Sequence, residues 1–170
     1  EESWESMRDR AAKIKAHTVE SLDYYLDLVA KNVRRNGGHV HFADDADHAN
    51  RIVLEIAKQH NVKTVIKSKS MVSEEMGVND FLESNGIEPV ETDLGEYIIQ
   101  LAKETPFHII GPAIHKTKEQ VSELFEKWLQ TAPTHDIEKL CIIARDVLRD
   151  KFAQADMGIS GANFVVAETG

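Results

Sequence analysis

Residues suited to one face of a helix recur every three or four positions from the start of the chain: Trp4, Met7, Ala11, Ile14, Thr18, Leu22, Tyr25, Val29 and Val33. That spacing lays them along a single helical stripe. Arg34 and Arg35 suit the negative end of a helix, and Gly37-Gly38 stop it. Unbroken, such a helix is roughly 50 Å long at ~1.5 Å per residue. This exceeds the width of a small domain. The helix is therefore expected either to break near His17-Thr18 or to project and pack on a partner.

After Gly38 the rhythm changes. His39 to Ala43 reads as a short strand, and Asp44 and Asp45 cap a helix that buries Ala46, Ala49, Ile52, Val53, Ile56 and Ala57. Strand Thr64–Ile66 precedes a helix from about Ser73 to Asn85, which Gly86 ends. Ile87–Glu91 is the next strand. Asp93 opens a short helix with Glu96 three positions on, the spacing of a capping box. His108–Ile110 reads as a strand, and Thr117 with Gln120 caps a helix using Val121, Leu124, Phe125 and Trp128. A further helix runs from Asp136 along Ile137, Leu140, Cys141, Ala144, Val147 and Leu148. Met157–Ser160 and Phe164–Ala167 are the last strand candidates. Alternation of short apolar strands with helices predicts an α/β fold, a mainly parallel sheet sandwiched by helices. Residues 1–37 form an N-terminal helical segment before an α/β domain at 38–170. The ending "NFVVAETG" has no closing element, so a fragment of a longer protein is expected.

Composition narrows the function. The chain has 170 residues, one domain or most of one, with 42% hydrophobic and 29% charged residues. A net charge of -9 argues against a nucleic-acid or anionic-membrane partner, which normally meets a basic face. A small anion held by a few local lysines remains compatible with it. The lone Cys141 can form neither an internal disulfide nor a four-thiolate site, and its place on an apolar stripe predicts a packed, inert thiol. No apolar run approaches the roughly 20 residues that cross a bilayer. The start, "EESWESMRDR", lacks the basic-then-apolar order of a signal peptide. A cytoplasmic location is expected.

Four polar clusters follow the expected strands, and in a parallel sheet such ends share one edge. "KSKSMVSEE" carries Lys67, Ser68, Lys69 and Ser70 just before a helix, where N–H groups and ammonium groups attract anions. The plain alternative is that Ser70 or Ser73 caps the helix and the lysines are solvated. "ETDLGEY" brings Glu91, Asp93 and Glu96 within six positions, close enough to share a proton, bind a hard metal or act as acid and base. Helix capping by Asp93 and Glu96 explains two of the three without function. "GPAIHKT" contains His115 and Lys116, and a histidine near neutrality suits a general base. "SGANFVVAETG" places Gly161, Asn163, Glu168 and Thr169 where backbone can approach a ligand. His39 and His41 alternate on a strand without an evident third ligand and are read as structural. His108 lies in an apolar run and is read as a core residue. No metal site is assigned.

Together the string from Val65 to Thr117, "VIKSKSMVSEEMGVNDFLESNGIEPVETDLGEYIIQLAKETPFHIIGPAIHKT", and "ADMGISGANFVVAETG" resemble the lactate-utilisation (LUD) family over about Val40 to Gly170. Within it they resemble the iron–sulfur subunit of an L-lactate oxidising complex. The resemblance implies a fold similar to the sugar-phosphate isomerase and CoA-transferase group, and a role in converting L-lactate to pyruvate. It implies [4Fe–4S] clusters held by cysteines downstream of Gly170, in a ferredoxin-like segment, so none is expected in this chain. It also implies other lactate-utilisation subunits as partners. Self-association is left open.

Lactate oxidation needs a cation for the carboxylate, a base for the hydroxyl proton and an electron acceptor. Lys67, Lys69 or Lys116 suits the first and His115 the second, with Lys116 and Glu96 beside it as catalytic candidates. Lys67, Ser68, Lys69, Ser70, Glu91, Asp93, Gly161, Asn163, Glu168 and Thr169 are the ligand-binding candidates. No residue here accepts electrons. A second reading makes the domain a scaffold that docks the downstream clusters onto partner subunits. A third is an independent isomerase- or ligase-type enzyme.

Overall fold

The computed structural model describes residues 3–108 and 110–170. They form two compact units, one of Glu1–Phe42 with Ala162–Gly170 and one of Ala43–Gly161.

The first unit is built on two helices, α1 (Trp4–Glu20) and α2 (Leu22–Arg35). The long apolar stripe does break, at Ser21 rather than at His17-Thr18. Ser21 leaves helical geometry at φ -117°, ψ 29°. The Thr18 hydroxyl donates back to the Ile14 carbonyl, a bond that bends helices. His17 then meets the Tyr25 hydroxyl across the break at 3.0 Å. α1 buries none of its residues, and Trp4 remains 72% exposed. α2 buries Ala30 and Asn32. The Asn32 amide donates to the carbonyls of Ala167 and Glu168, and that of Asn36 to Thr169, which ties the tail to α2.

The second unit contains α3 (Ala46–Gln59), β1 (Thr64–Lys67), α4 (Met71–Glu75), α5 (Val78–Ser84), β2 (Glu88–Glu91), α6 (Leu94–Ala102), α7 (Lys118–Leu129), α8 (Ile137–Gln154) and β3 (Met157–Ile159). The strands form a parallel sheet in the order β2-β1-β3. Helices flank it, so the α/β class expected from the alternation is correct. Side chains alternate across each strand. Val65 joins Ala57, Val62, Val78, Leu82 and Ile87 in one core cluster, with α3 and α5. Val90 packs in another cluster with Tyr97 and Leu148, against α6 and α8. Val65 and Leu82 are fully buried, each contributing on the order of 1.5–3 kcal/mol.

Local sequence explains most boundaries. Asp45, Asp93 and Asp136 accept backbone N–H groups as N-caps, and Thr117 with Gln120 closes a full capping box on α7. β2 is an edge strand carrying Pro89, which has no N–H to offer. Gln100 of α6 covers that edge, accepting from the Glu91 N–H and donating to the Pro89 carbonyl.

Several expectations fail for identifiable reasons. His39–Ala43 is irregular chain, and its two histidines are exposed. The helix expected over Ser73–Asn85 is two helices, because Gly77 takes a left-handed conformation (φ 64°) between α4 and α5. Of the strand expected at His108–Ile110, His108 and Ile110 lie in turns, and Ile109 lies outside the described residues. Phe164–Ala167 is not a strand either: it runs as irregular chain into a turn, with its large side chains exposed. Among the described residues, Phe164–Ala167 has no neighbouring strand to pair with. Cys141 is exposed on α8, not packed. No helix among the described residues is long and apolar enough to cross a membrane.

β3 is tied to β1 at its start by Asp156, whose carboxylate accepts the N–H groups of Lys63 and Thr64 at 2.8 and 3.0 Å. These bonds hold its carboxyl below the ordinary value of 3.8. A carboxyl depressed in the native state stabilises the fold above 3.8 and loses that contribution as the pH falls through the native value. Asp156→Ala is expected to lower the urea midpoint at neutral pH. The deficit should shrink in titrations repeated near pH 3. A deficit that persists undiminished in acid would mean the ionised carboxylate is not its source.

Candidate functional site

The parallel register sets Lys67, the last residue of β1, opposite Glu91, the last of β2. Both side chains point to the α5 side of the sheet and meet at 2.7 Å, each only 3% exposed. Lys67 also donates to the Ser73 hydroxyl on α4, and the Asn79 amide on α5 donates to Glu91 Oε1. Ser70 caps α4, as the plain reading of that loop expected, but Lys67 is not a solvated lysine.

Beside the pair stands Glu96, in the first turn of α6. Its backbone N–H bonds Asp93 Oδ1, so Asp93 is the cap. The Glu96 side chain does not complete a capping box; it turns inward and is 5% exposed. Burial pushes its pKa above the ordinary carboxyl value, the nearby His108 opposing this and Glu91 and Glu74 adding to it. His108 hangs over it from a turn closed by the Phe107 N–H on Pro112 O and the Gly111 N–H on Phe107 O. The turn presses on the start of α6: a Cβ on Gly95 would meet two Pro112 ring atoms at 3.3 Å. His108 Nδ1 lies 3.5 Å from Glu96 Oε1, and Nε2 lies 3.7 Å from Glu74 Oε1. Neither approach has hydrogen-bond geometry, and Glu96 Oε1 and both His108 nitrogens are buried without a hydrogen-bond partner. His108 was read from sequence as a core residue. Its side chain is largely covered, at 10% exposure, but among carboxylates, and the only sequence signal was a polar residue inside an apolar run.

Of these groups, Ser73, Glu74, Asn79, Glu91 and Glu96 line a cleft of about 470 Å³. Its walls carry Glu74, Asp80, Glu83, Glu91, Glu96 and Glu104 against Lys103 as the single lysine. His115 and Lys116 both close on the Glu104 carboxylate, His115 Nε2 at 2.7 Å. Hydrogen bonds from Lys116 and then His115 hold the Glu104 pKa low. Since Glu104 lines the cleft, this cluster forms part of its rim.

The other flank of β1 is different. Its end meets that of β3, where the Ser68 N–H bonds Ile159 O and the Ser68 hydroxyl donates to the Ser160 hydroxyl at 3.2 Å. Gly161 packs closely on Ser70: a Cβ there would lie 3.0 Å from the Ser70 hydroxyl. Lys69, between Ser68 and Ser70 in sequence, is exposed. The structure thus brings Lys67, Ser68, Ser70, Glu91, Asp93, Glu96 and Gly161 to the strand ends of one unit. Asn163, Glu168 and Thr169 belong to the other unit. There Asn163 is exposed, and Glu168 and Thr169 offer backbone carbonyls to α2.

The LUD domain family matches residues 26–170, which include every side chain just described. The chain belongs to that family. It is 46% identical over 169 residues to lactate utilization protein B of Bacillus velezensis, covering 99% of this chain and 36% of that protein. It is 48% identical to lactate utilization protein B of Bacillus licheniformis, covering 99% and 35%. An uncharacterized electron transport protein of Escherichia coli strain K12, YkgF, is 45% identical over 98% of this chain and 35% of its own length. The LUD chain described here thus spans about a third of the curated relatives it matches. No solved structure is significantly similar to it.

The buried pair gives the LUD core a measurable signature. Lys67→Met alone is expected to destabilise by about 3–5 kcal/mol, because Glu91 is left charged and buried. Lys67→Met with Glu91→Met should recover much of that loss. A double-mutant cycle in urea measures the coupling, and additive losses would show that the two side chains do not depend on one another.

Proposed function

We propose that this chain is the LUD part of an L-lactate oxidising protein, and that it binds a small carboxylate at the strand C-termini. The observation that carries the reading is the meeting of the β1 and β3 ends. Parallel pairing sets two polar loops side by side, with the Ser68 and Ser160 hydroxyls 3.2 Å apart, Gly161 packed on Ser70, and Lys69, between the two serines in sequence, exposed. Hydroxyls, backbone N–H groups and one cation are the donors a carboxylate requires. The names of the relatives support lactate as that carboxylate, and lactate utilisation in the cytoplasm fits a chain of this composition.

His115 has the chemistry to take the hydroxyl proton, though it stands with Glu104 at the acidic cleft and not at the serine loops. Glu104 holds its Nε2, a carboxylate-oriented imidazole, and the ring is partly accessible. Lys116, bonded to the same carboxylate, fixes Glu104 in place. The electrons must leave through a group this chain does not hold. One exposed cysteine cannot provide the four thiolates of an iron–sulfur cluster, so the [4Fe–4S] clusters the resemblance implies do not fit the residues here.

A second reading, a scaffold that docks partner subunits, is favoured by one observation: α1 leaves Trp4, Met7 and Ile14 exposed on its stripe. The two readings separate by experiment in the full-length protein with its partner subunits. Lys69→Met is expected to raise the lactate KM by about tenfold or more, the loss of one charge-assisted hydrogen bond. His115→Gln should lower kcat. If both variants turn over normally while Trp4→Ala with Ile14→Ala abolishes association, the domain is a scaffold and the carboxylate site is wrong.

A further inference from the structure

We propose that Glu74, Glu96 and His108 form a binding site for a divalent first-row transition-metal ion. Each offers one ligand atom, and the three atoms lie within 4.8 Å of one another. Tetrahedral ligands about 2.0–2.1 Å from an ion sit roughly 3.4 Å apart. Glu96 Oε1 and His108 Nδ1 already have that separation at 3.5 Å, and Glu74, from the short and partly exposed α4, needs to close by up to about 1.4 Å from the 4.8 Å span of the cluster.

The bonding around the cluster is incomplete without an ion. A carboxylate and an imidazolium that only paired would approach to roughly 2.7–2.9 Å with aligned N–H groups. Here the ring stands off at 3.5 and 3.7 Å from two carboxylates. Glu96 Oε1 and both ring nitrogens lack any hydrogen bond, although the Glu96 and His108 side chains are 5% and 10% exposed. Buried polar atoms are rarely left this way.

Charge points in the same direction. Lys67, the nearest buried cation, is already matched by Glu91 at 2.7 Å. Glu96, buried, and Glu74, about a third exposed, therefore meet with no ion pair to an ammonium or guanidinium among the described residues, and the cleft beyond adds further carboxylates. A divalent cation would neutralise both carboxylates. One imidazole with two carboxylates suits zinc, cobalt or manganese better than magnesium, which prefers an all-oxygen shell. Three protein ligands leave positions open, as in catalytic rather than structural sites.

The support is firm on two sides. Asp93 caps the helix that carries Glu96, and Ser70 caps the one that carries Glu74. The site is separate from the serine loops of the proposed carboxylate site, so the ion is tested without any carboxylate present.

The test titrates the whole 170-residue chain with Zn2+ by calorimetry and with Co2+ by visible absorption. One equivalent of each should bind, with cobalt bands characteristic of nitrogen and oxygen ligands, and equal Mg2+ should not compete. His108→Ala and Glu96→Gln should each weaken Zn2+ by about a hundredfold or more, and Glu74→Gln by at least about tenfold. His39→Ala with His41→Ala, in exposed irregular chain, should change nothing. Circular dichroism checks the fold of every variant. Glu74→Gln, the most exposed of the three positions, keeps the test decisive if a more buried variant fails to fold. No saturable binding, or equal affinity in the folded variants, overturns the site.

Discussion

The buried ion pair of Lys67 and Glu91 sets the geometry on which the rest of the site depends. Moving two charges out of water costs several kcal/mol each, so the pair persists only where the partners match closely and further bonds complete them. Ser73 and Asn79 supply those bonds. The pair therefore selects one register. A one-residue slip of β1 would turn Lys67 to the opposite face, towards the cluster of Val90, Tyr97 and Leu148. Strands of four residues carry few apolar contacts, and a charge that tolerates one arrangement adds specificity that hydrophobic burial alone does not.

The same pair transmits strand register to the helices. Lys67 reaches α4 through Ser73, and Glu91 reaches α5 through Asn79 and α6 through Gln100. Glu74 and Glu96 are carried on the helices so placed, and the Gly95–Pro112 contact brings the His108 turn down on them. Lys67 neutralises Glu91 and no more. The negative charge that remains is a consequence of the fold's own wiring.

Much of the architecture was legible because its signals are local. Side-chain caps at Asp45, Asp93, Thr117 and Asp136 announce helices within three residues of sequence, and all four helices form. Thr64–Ile66 and Ile87–Glu91 read as strands and are strands, give or take a residue. Phe164–Ala167 carries the same local pattern and is not a strand, because pairing depends on a neighbour that local pattern does not encode. The site was legible only in part for the same reason. That Lys67 and Glu91 end strands could be read; that they meet depends on the parallel register. His108 looked apolar by its neighbours in sequence, whereas its chemistry comes from carboxylates 34 and 12 positions earlier.

Sheet order divides the strand-end edge between two kinds of ligand. β1 is central, so its polar end faces two different neighbours. Towards β2 lie buried carboxylates and a cleft lined by six acidic side chains, a place that attracts cations and repels a free carboxylate. Towards β3 lie serine hydroxyls and Gly161, with the exposed Lys69 between Ser68 and Ser70 in sequence, groups that on the proposed reading suit an anion. Because Lys67 points to the α5 side and is already paired, it does not serve as the anion's cation on the β3 flank. On the proposed reading, that leaves Lys69 to supply the charge for a carboxylate on the β3 flank, and His108 and Glu96 to take a cation on the other.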